Sequence, residues 1–159
     1  MLTLTKTDST NSDFISLVRL LDQDLAIRDG EDHAFYAQFN KIASIKHVVV
    51  AYKDGVPAGC GAIKPFAEGV AEVKRMFVHP DFRRQGVAKA ILAEWEVWAA
   101  ALGFTSCILE TGKKQPEAIA LYQASGYQLI PNYGQYAEVE NSVCMQKTVG
   151  SLSKQCHEV

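Results

Sequence analysis

The stretch from Met76 to Leu92, MFVHPDFRRQGVAKAIL, constrains this chain more than any other. An apolar run, Val73 to Val78, breaks at His79-Pro80-Asp81. The chain then presents Arg83-Arg84-Gln85-Gly86-Val87-Ala88 and enters a long helical pattern. A strand that turns through a glycine into a helix creates an anion site. The first N–H groups of a helix lack internal partners, and the helix dipole is positive there. A phosphate at that end gains several N–H bonds at once. Gly86, without a Cβ, lets the ligand come close to the backbone. Against this stands a plainer reading, in which Arg83 and Arg84 are solvated loop charges.

The remaining sequence sets the frame for that site. The 159 residues suit one domain, expected over 1–149, with a frayed tail at 150–159 that has no apolar period. Net charge is −2, which argues against a general nucleic-acid binder, since such a protein needs a basic excess. The basic cluster from Lys74 to Lys89 therefore reads as a local site. Cys60, Cys107, Cys144 and Cys156 form no CxxC pair, so buried reduced thiols are expected and a metal site is not. Neither a signal-peptide pattern nor an apolar run of membrane-spanning length is visible, which makes the cytoplasm the expected location and a membrane partner unexpected.

In order, Leu2 and Leu4 alternate with threonines as a short strand. Thr10, Asn11 and Ser12 cap a helix whose stripe is Phe14, Ile15, Leu17, Val18, Leu21 and Leu25. Asp29-Gly30 ends it, and Ala34 to Phe39 reads as a second short helix. Asp22, Asp24, Asp29, Glu31 and Asp32 read as a solvated acidic face, or else as a rim that attracts an amine. His47 to Tyr52 and Pro57 to Ile63 read as strands joined by an Asp54-Gly55 hairpin turn. Pro65 to Gly69 reads as a turn before a strand at Val70 to Val78. A long helix from Gly86 to Leu102 follows, with Val87, Ile91, Leu92, Trp95 and Trp98 as its apolar side. Phe104 to Leu109 is a buried-type strand, so strand, helix, strand implies a parallel crossover. A helix from Glu117 to Ala124 begins after Pro116. Strands at Tyr127 to Ile130 and Val143 to Lys147 complete an α/β or α+β chain with a mixed sheet and helices on both faces.

Two motifs in this chain together resemble the GNAT superfamily of N-acetyltransferases, which use acetyl-coenzyme A. The first is Arg83, two residues, Gly86, one residue, Ala88, directly after the strand ending VHPDF. The second is a helix carrying Ala118, Leu121, Tyr122, Gly126 and Tyr127 at the family's spacing. The pair covers roughly Val70 to Lys147, and the N-terminal half agrees in layout only. One position departs: Gln115 stands where many members have an Asn that helps hold the pantetheine arm.

The resemblance implies a mostly antiparallel central sheet of about seven strands. It implies an acyltransferase with acetyl-CoA as donor and no metal. The diphosphate would sit on the N–H groups of Arg84, Gln85, Gly86, Val87, Ala88 and Lys89, with charge added by Arg83 and Arg84. The pantetheine arm would run beside Met76, Phe77 and Val78, with Gln115 and Tyr122 also near the cofactor. Tyr122 matches the usual general acid, a phenol protonated at neutral pH; its plainer reading is a buried helix tyrosine. Glu72 matches a base found in several members, or is a strand-edge carboxylate paired with Lys74. Alternation puts Glu72 on one face with Lys74 and Met76, and Lys74 and Arg75 on opposite faces. His79 reads as a loop residue, and Cys107 and Cys144 are not needed as acyl carriers.

For the acceptor, Lys74 or Arg75 is a candidate for a substrate carboxylate or phosphate, and Tyr133 in the 131–136 loop a candidate pocket wall. These point to an amine of a small metabolite, such as an amino acid or polyamine, on a monomer or homodimer. A peptide or protein amine, or an acyl-CoA sensor without turnover, is the competing expectation.

Overall fold

The computed structural model describes residues 1–29 and 45–149. The expected helix at Ala34 to Phe39, the acidic residues Glu31 and Asp32, Cys156 and the tail at 150–159 lie outside the described residues. The sheet has seven strands: β1 (Leu2–Thr7), β2 (His47–Lys53), β3 (Val56–Ala67), β4 (Val70–Val78), β5 (Ser106–Gly112), β6 (Gln128–Ile130) and β7 (Ser142–Thr148). Their order is β1-β2-β3-β4-β5-β7-β6. Among the described residues, three helices accompany them: α1 (Ser12–Asp29), α2 (Val87–Ala101) and α3 (Pro116–Ala124). The fold is α+β with a mixed sheet, as expected from the sequence. The chain divides into two compact units, one of Met1–Lys64 with Lys74–Trp95, the other of Pro65–Val73 with Glu96–Val159.

In the first unit, α1 starts where Asn11 caps it: the Phe14 N–H donates to Asn11 Oδ1 at 2.9 Å. Spacing of three and four residues then turns Phe14, Leu17, Val18 and Leu21 to one side, and all four are buried with Val48, Val50, Cys60 and Phe77. β2 and β3 pair antiparallel, with Lys53 opposite Val56. Asp54 and Gly55 both have positive φ, 50° and 84°, which gives the two-residue turn the twist a hairpin needs. Gly59 and Gly61, expected from the sequence to weaken or bulge the strand, are also close-approach points, and the β2–β3 register shifts between Ala51 and Tyr52, opposite Gly59 and Pro57. A Cβ on Gly61 would lie 1.8 Å from the Trp95 ring, and Trp95 is fully buried on α2. Gly61→Ala should therefore cost about 2 kcal/mol of stability, read as an earlier midpoint in urea unfolding. An unchanged midpoint would mean the Trp95 ring relaxes freely.

The end of β3 differs from the sequence expectation. β3 does not stop at Ile63; it runs to Ala67, and only Glu68 and Gly69 turn into β4. Pro65 sits within an exposed strand end, where its missing N–H costs little.

In the second unit, β4 pairs parallel with β5, with Val70, Ala71 and Glu72 opposite Ser106, Cys107 and Ile108. β7 pairs antiparallel with both β5 and β6. Gly103, at φ 98°, ends α2, as the sequence expects. Ala71, Leu109, Tyr122, Tyr127, Tyr136 and Met145 are buried here.

Candidate functional site

The first unit carries the basic turn. After β4, the His79 imidazole accepts the Asp81 N–H at 3.1 Å, and Pro80–Phe82 forms one tight helical turn. Arg83 folds back: its Nε donates to the Val78 carbonyl at 3.0 Å, and its guanidinium lies 5.8 Å from the centre of the Phe77 ring. His79 and Arg83 thus shape the turn from within. Arg84 and Gly86 both take left-handed φ, 63° and 79°. Alternating left-handed residues aim successive N–H groups to one side, a nest suited to an anion. For Arg84 this conformation is strained, because its Cβ crowds the backbone. Gln85 Nε2 steadies the turn through the Asp81 carbonyl at 3.3 Å. A Cβ placed on Gly86 would meet nothing within 4 Å. Arg83, Arg84, Gln85, Gly86 and Lys89 are exposed, while Val87 and half-buried Ala88 begin α2. The result is an exposed, positively charged turn with backbone donors at a helix N-terminus.

Upstream, β4 is not a regular strand. Arg75 has φ 58° in its middle. An L-residue there breaks the pleat, so the alternation expected to join Glu72, Lys74 and Met76 does not carry through Arg75. Lys74 and Arg75 are both buried, at 8% and 7% exposure. Arg75 Nη2 reaches Asp22 of α1 at 2.9 Å from Oδ1 and 3.0 Å from Oδ2. Burial pulls the Arg75 guanidinium below its ordinary range, and the Asp22 carboxylate opposes that. Asp22 is therefore not only part of a solvated acidic face. Met76 and Val78 are half-buried and Phe77 is buried, on the strand leading into the turn. Gly59 makes room here, since its Cβ would lie 2.8 Å from the Phe77 carbonyl oxygen.

The second unit carries acids and phenols. Glu72 is 3% exposed, and Tyr133 Oη donates to its Oε2 at 2.8 Å. The structure thus joins two residues singled out separately in the sequence. Tyr133 is itself held edge-on by Phe66 and Tyr136, at centroid distances of 5.0 and 5.9 Å. Glu110 lies beyond Leu109, where the apolar run in the sequence stops, while β5 continues three residues further, to Gly112. This glutamate lies within β5, opposite Cys144 of β7, and accepts the Ser142 hydroxyl at 2.7 Å. Registers put Glu72 opposite Ile108, two residues before Glu110, so both carboxylates stand on one sheet face.

Tyr122, on α3, is buried and meets the Tyr127 ring edge-on at 5.8 Å. Burial, with the Glu110 charge, pushes the Tyr122 phenol well above its ordinary range. Burial does the same to Tyr133 and Tyr136, with Glu72 and Glu110 adding to it. Gln115 occupies the cap position of α3 but makes no side-chain cap bond. Its amide nitrogen instead lies 3.6 Å from where a Gly112 Cβ would be.

Burial pushes the thiols of Cys60 and Cys107 up to about 12 and that of Cys144 to about 11, so none is a ready nucleophile near neutral pH. Among the described residues, no group of three or more His, Cys, Asp or Glu side chains could hold a metal ion, and no helix is long and apolar enough to cross a membrane.

The model of the acetyltransferase (GNAT) family matches residues 14–127. The IAA acetyltransferase of Azospirillum brasilense is 39% identical over 100 residues, which are 62% of this chain and 65% of that protein. The matched stretch is thus less than two thirds of that relative's length. A crystal structure assigned as an acyl-CoA N-acyltransferase from Klebsiella pneumoniae superposes with a TM-score of 0.79 at 29% identity, covering 94% of this chain and 98% of that one. PaiA N-acetyltransferase of Thermoplasma acidophilum, solved with coenzyme A, shares the fold with a TM-score of 0.69 at 16% identity, over 93% and 99% of the two chains.

Proposed function

Because this chain belongs to the acetyltransferase (GNAT) family, we propose that it moves an acetyl group from acetyl-CoA to a primary amine. In this reading the acceptor is a small metabolite, such as an amino acid or a polyamine. It attacks directly in a ternary complex, in the cytoplasm, on a monomer or homodimer. The observation that carries the reading is the open turn at Gly86, with φ 79° and nothing within 4 Å of a Cβ, at the N-terminus of α2. Such a cradle fits a diphosphate.

The backbone N–H groups from Arg84 to Lys89 would hold that diphosphate, with Arg84 and Lys89 adding charge from exposed positions. Arg83 would contribute its remaining guanidinium nitrogens, since Nε is committed to Val78. Met76, Phe77 and Val78 would offer backbone groups to the pantetheine arm, and Gln115 an amide. When bound, acetyl-CoA supplies an activated thioester carbonyl.

An amine is mostly ammonium at neutral pH and must lose a proton before it attacks. Glu72 would take that proton, directly or through water, with its carboxylate oriented by Tyr133. The Phe77 N–H would stabilise the developing oxyanion. Tyr122 would hold a proton for the departing sulfur. Lys74, Arg75 and Tyr133 would meet the acceptor. The high thiol affinities for protons support a route without a cysteine acyl carrier.

Thioester consumption should be measured against amino acids, polyamines and short peptides. Turnover with peptides alone would replace the small-metabolite reading with a peptide or protein acceptor. Coenzyme A binding without turnover on any amine would leave a sensor. Glu72→Gln should lower kcat/KM about thirtyfold at pH 7. The deficit should shrink above the pKa of the amine, where no base is needed. A deficit that ignores pH would remove Glu72 as the base.

A further inference from the structure

Arg75 is a buried cation whose donors are only partly used. Its side chain is 3% exposed. Nη2 is committed to Asp22, but Nε and Nη1 are buried with no hydrogen-bond partner among the described residues. A guanidinium offers five N–H donors in one plane, and burial makes each unfilled donor costly. Its ionic partner among the described residues, Asp22, is 48% exposed, so water screens that carboxylate from outside. The backbone is bent to place this side chain, with φ 58° where a regular strand has none. Lys74, the residue before, is buried as well, so the same stretch brings two cationic side chains into the unit. A buried guanidinium with unfilled donors has the chemistry to take a further carboxylate.

We propose that Arg75 anchors a carboxylate of the acceptor, which is therefore an amine that also carries a carboxylate, as an amino acid does. This rests on the acetyl-transfer reading and narrows it. A polyamine, bringing only positive charge, would be repelled by the guanidinium. A carboxylate would fill a donor that is now empty, and Asp22 already demonstrates that this guanidinium takes a carboxylate partner.

Matched acceptors that differ only in this group read the anchor directly: amino acids against their amides, for example L-methionine against L-methioninamide. Across the natural amino acids, at least one acid should exceed its amide about thirtyfold in kcat/KM, the loss expected when a site built for a charged partner is left unpaired. Arg75→Gln should erase that ratio while leaving coenzyme A affinity, read by calorimetry, unchanged. Arg75→Lys keeps a charge but loses the planar fork, and should keep only part of the ratio. If Arg75→Gln fails to fold, Asp22→Asn serves instead: freeing Nη2 should lower KM for the acid and leave the amide alone.

Amides as good as acids would overturn the proposal, as would an acid preference that survives in Arg75→Gln. So would a variant that weakens coenzyme A itself, which would give the guanidinium to the donor's phosphates. A readout without turnover separates this proposal from the transfer reading. Stabilisation of the folded protein by N-acetyl-L-methionine and its congeners should depend on Arg75 even if no thioester is consumed. Absence of turnover with that dependence intact would sink acetyl transfer and leave the anchor; absence of the dependence would sink the anchor.

Discussion

Tyr122→Phe should lower kcat about 10²–10³-fold, within the usual range for one acid–base group, and leave acetyl-CoA affinity within about twofold. The change removes one oxygen and keeps the ring, so the edge contact with Tyr127 survives and the fold loses little. What disappears is the proton donor. Burial and the Glu110 charge both favour the neutral phenol, so Tyr122 keeps its proton far above neutral pH. That fixes the sign of the pH dependence. A group whose pKa is raised loses its proton later on the alkaline side, so kcat of the wild type should show no falling limb from Tyr122 below about pH 10. Single-turnover mixing with a saturating amine would measure both quantities. Turnover unchanged in the variant would take Tyr122 out of the reaction and leave it a core tyrosine.

Gly86→Val should weaken coenzyme A binding about a hundredfold by crowding the turn, and should lower the thermal midpoint as a separate effect. At φ 79°, a β-branched residue is strained even in the empty protein, by roughly 1–2 kcal/mol. The space beyond the missing Cβ is open in this structure, and that openness is what the diphosphate would use. A branched side chain would stand in it and also screen the N–H groups behind. Gly86→Ala separates the two contributions, since it brings the strain with a single methyl, and should fall between. Calorimetry with coenzyme A, together with a thermal melt, checks both variants. Full affinity in Gly86→Val would mean that the phosphates bind elsewhere.

The parts of the fold legible in the sequence are those written locally. Asp54-Gly55 specifies its hairpin because two adjacent residues must take positive φ, and few residue pairs do so readily. The α1 and α2 stripes are legible because helical spacing repeats over several turns. Pro65 misled the reading of β3, since a proline near a glycine usually marks a turn and here sits in an exposed strand end. The bulge at Arg75 leaves no mark at all, because nothing in Lys74-Arg75-Met76 distinguishes a left-handed arginine from an extended one. Glu110 was hidden because the apolar run stops at Leu109 while β5 continues three residues further, to Gly112. The bond from Tyr133 to Glu72 joins positions 61 residues apart, and only the folded chain brings them together. The roles of Gly86 and Tyr122 came from motif spacing, and the geometry now gives each a physical cause to be tested.

The parallel pairing of β4 with β5 also sets an order of assembly. β2 and β3, joined by two residues, can zip together on the microsecond scale of an isolated hairpin. Val70–Glu72 can meet Ser106–Ile108 only after the whole crossover, α2 included, has been drawn back. Non-local closure of this kind dominates folding time in mixed sheets. The glycine turn lies inside that crossover. A newly made chain would therefore hold its hairpins well before it holds the Gly86 turn; if that turn is the cradle proposed above, excess coenzyme A should speed none of the early steps while slowing the last one's reversal.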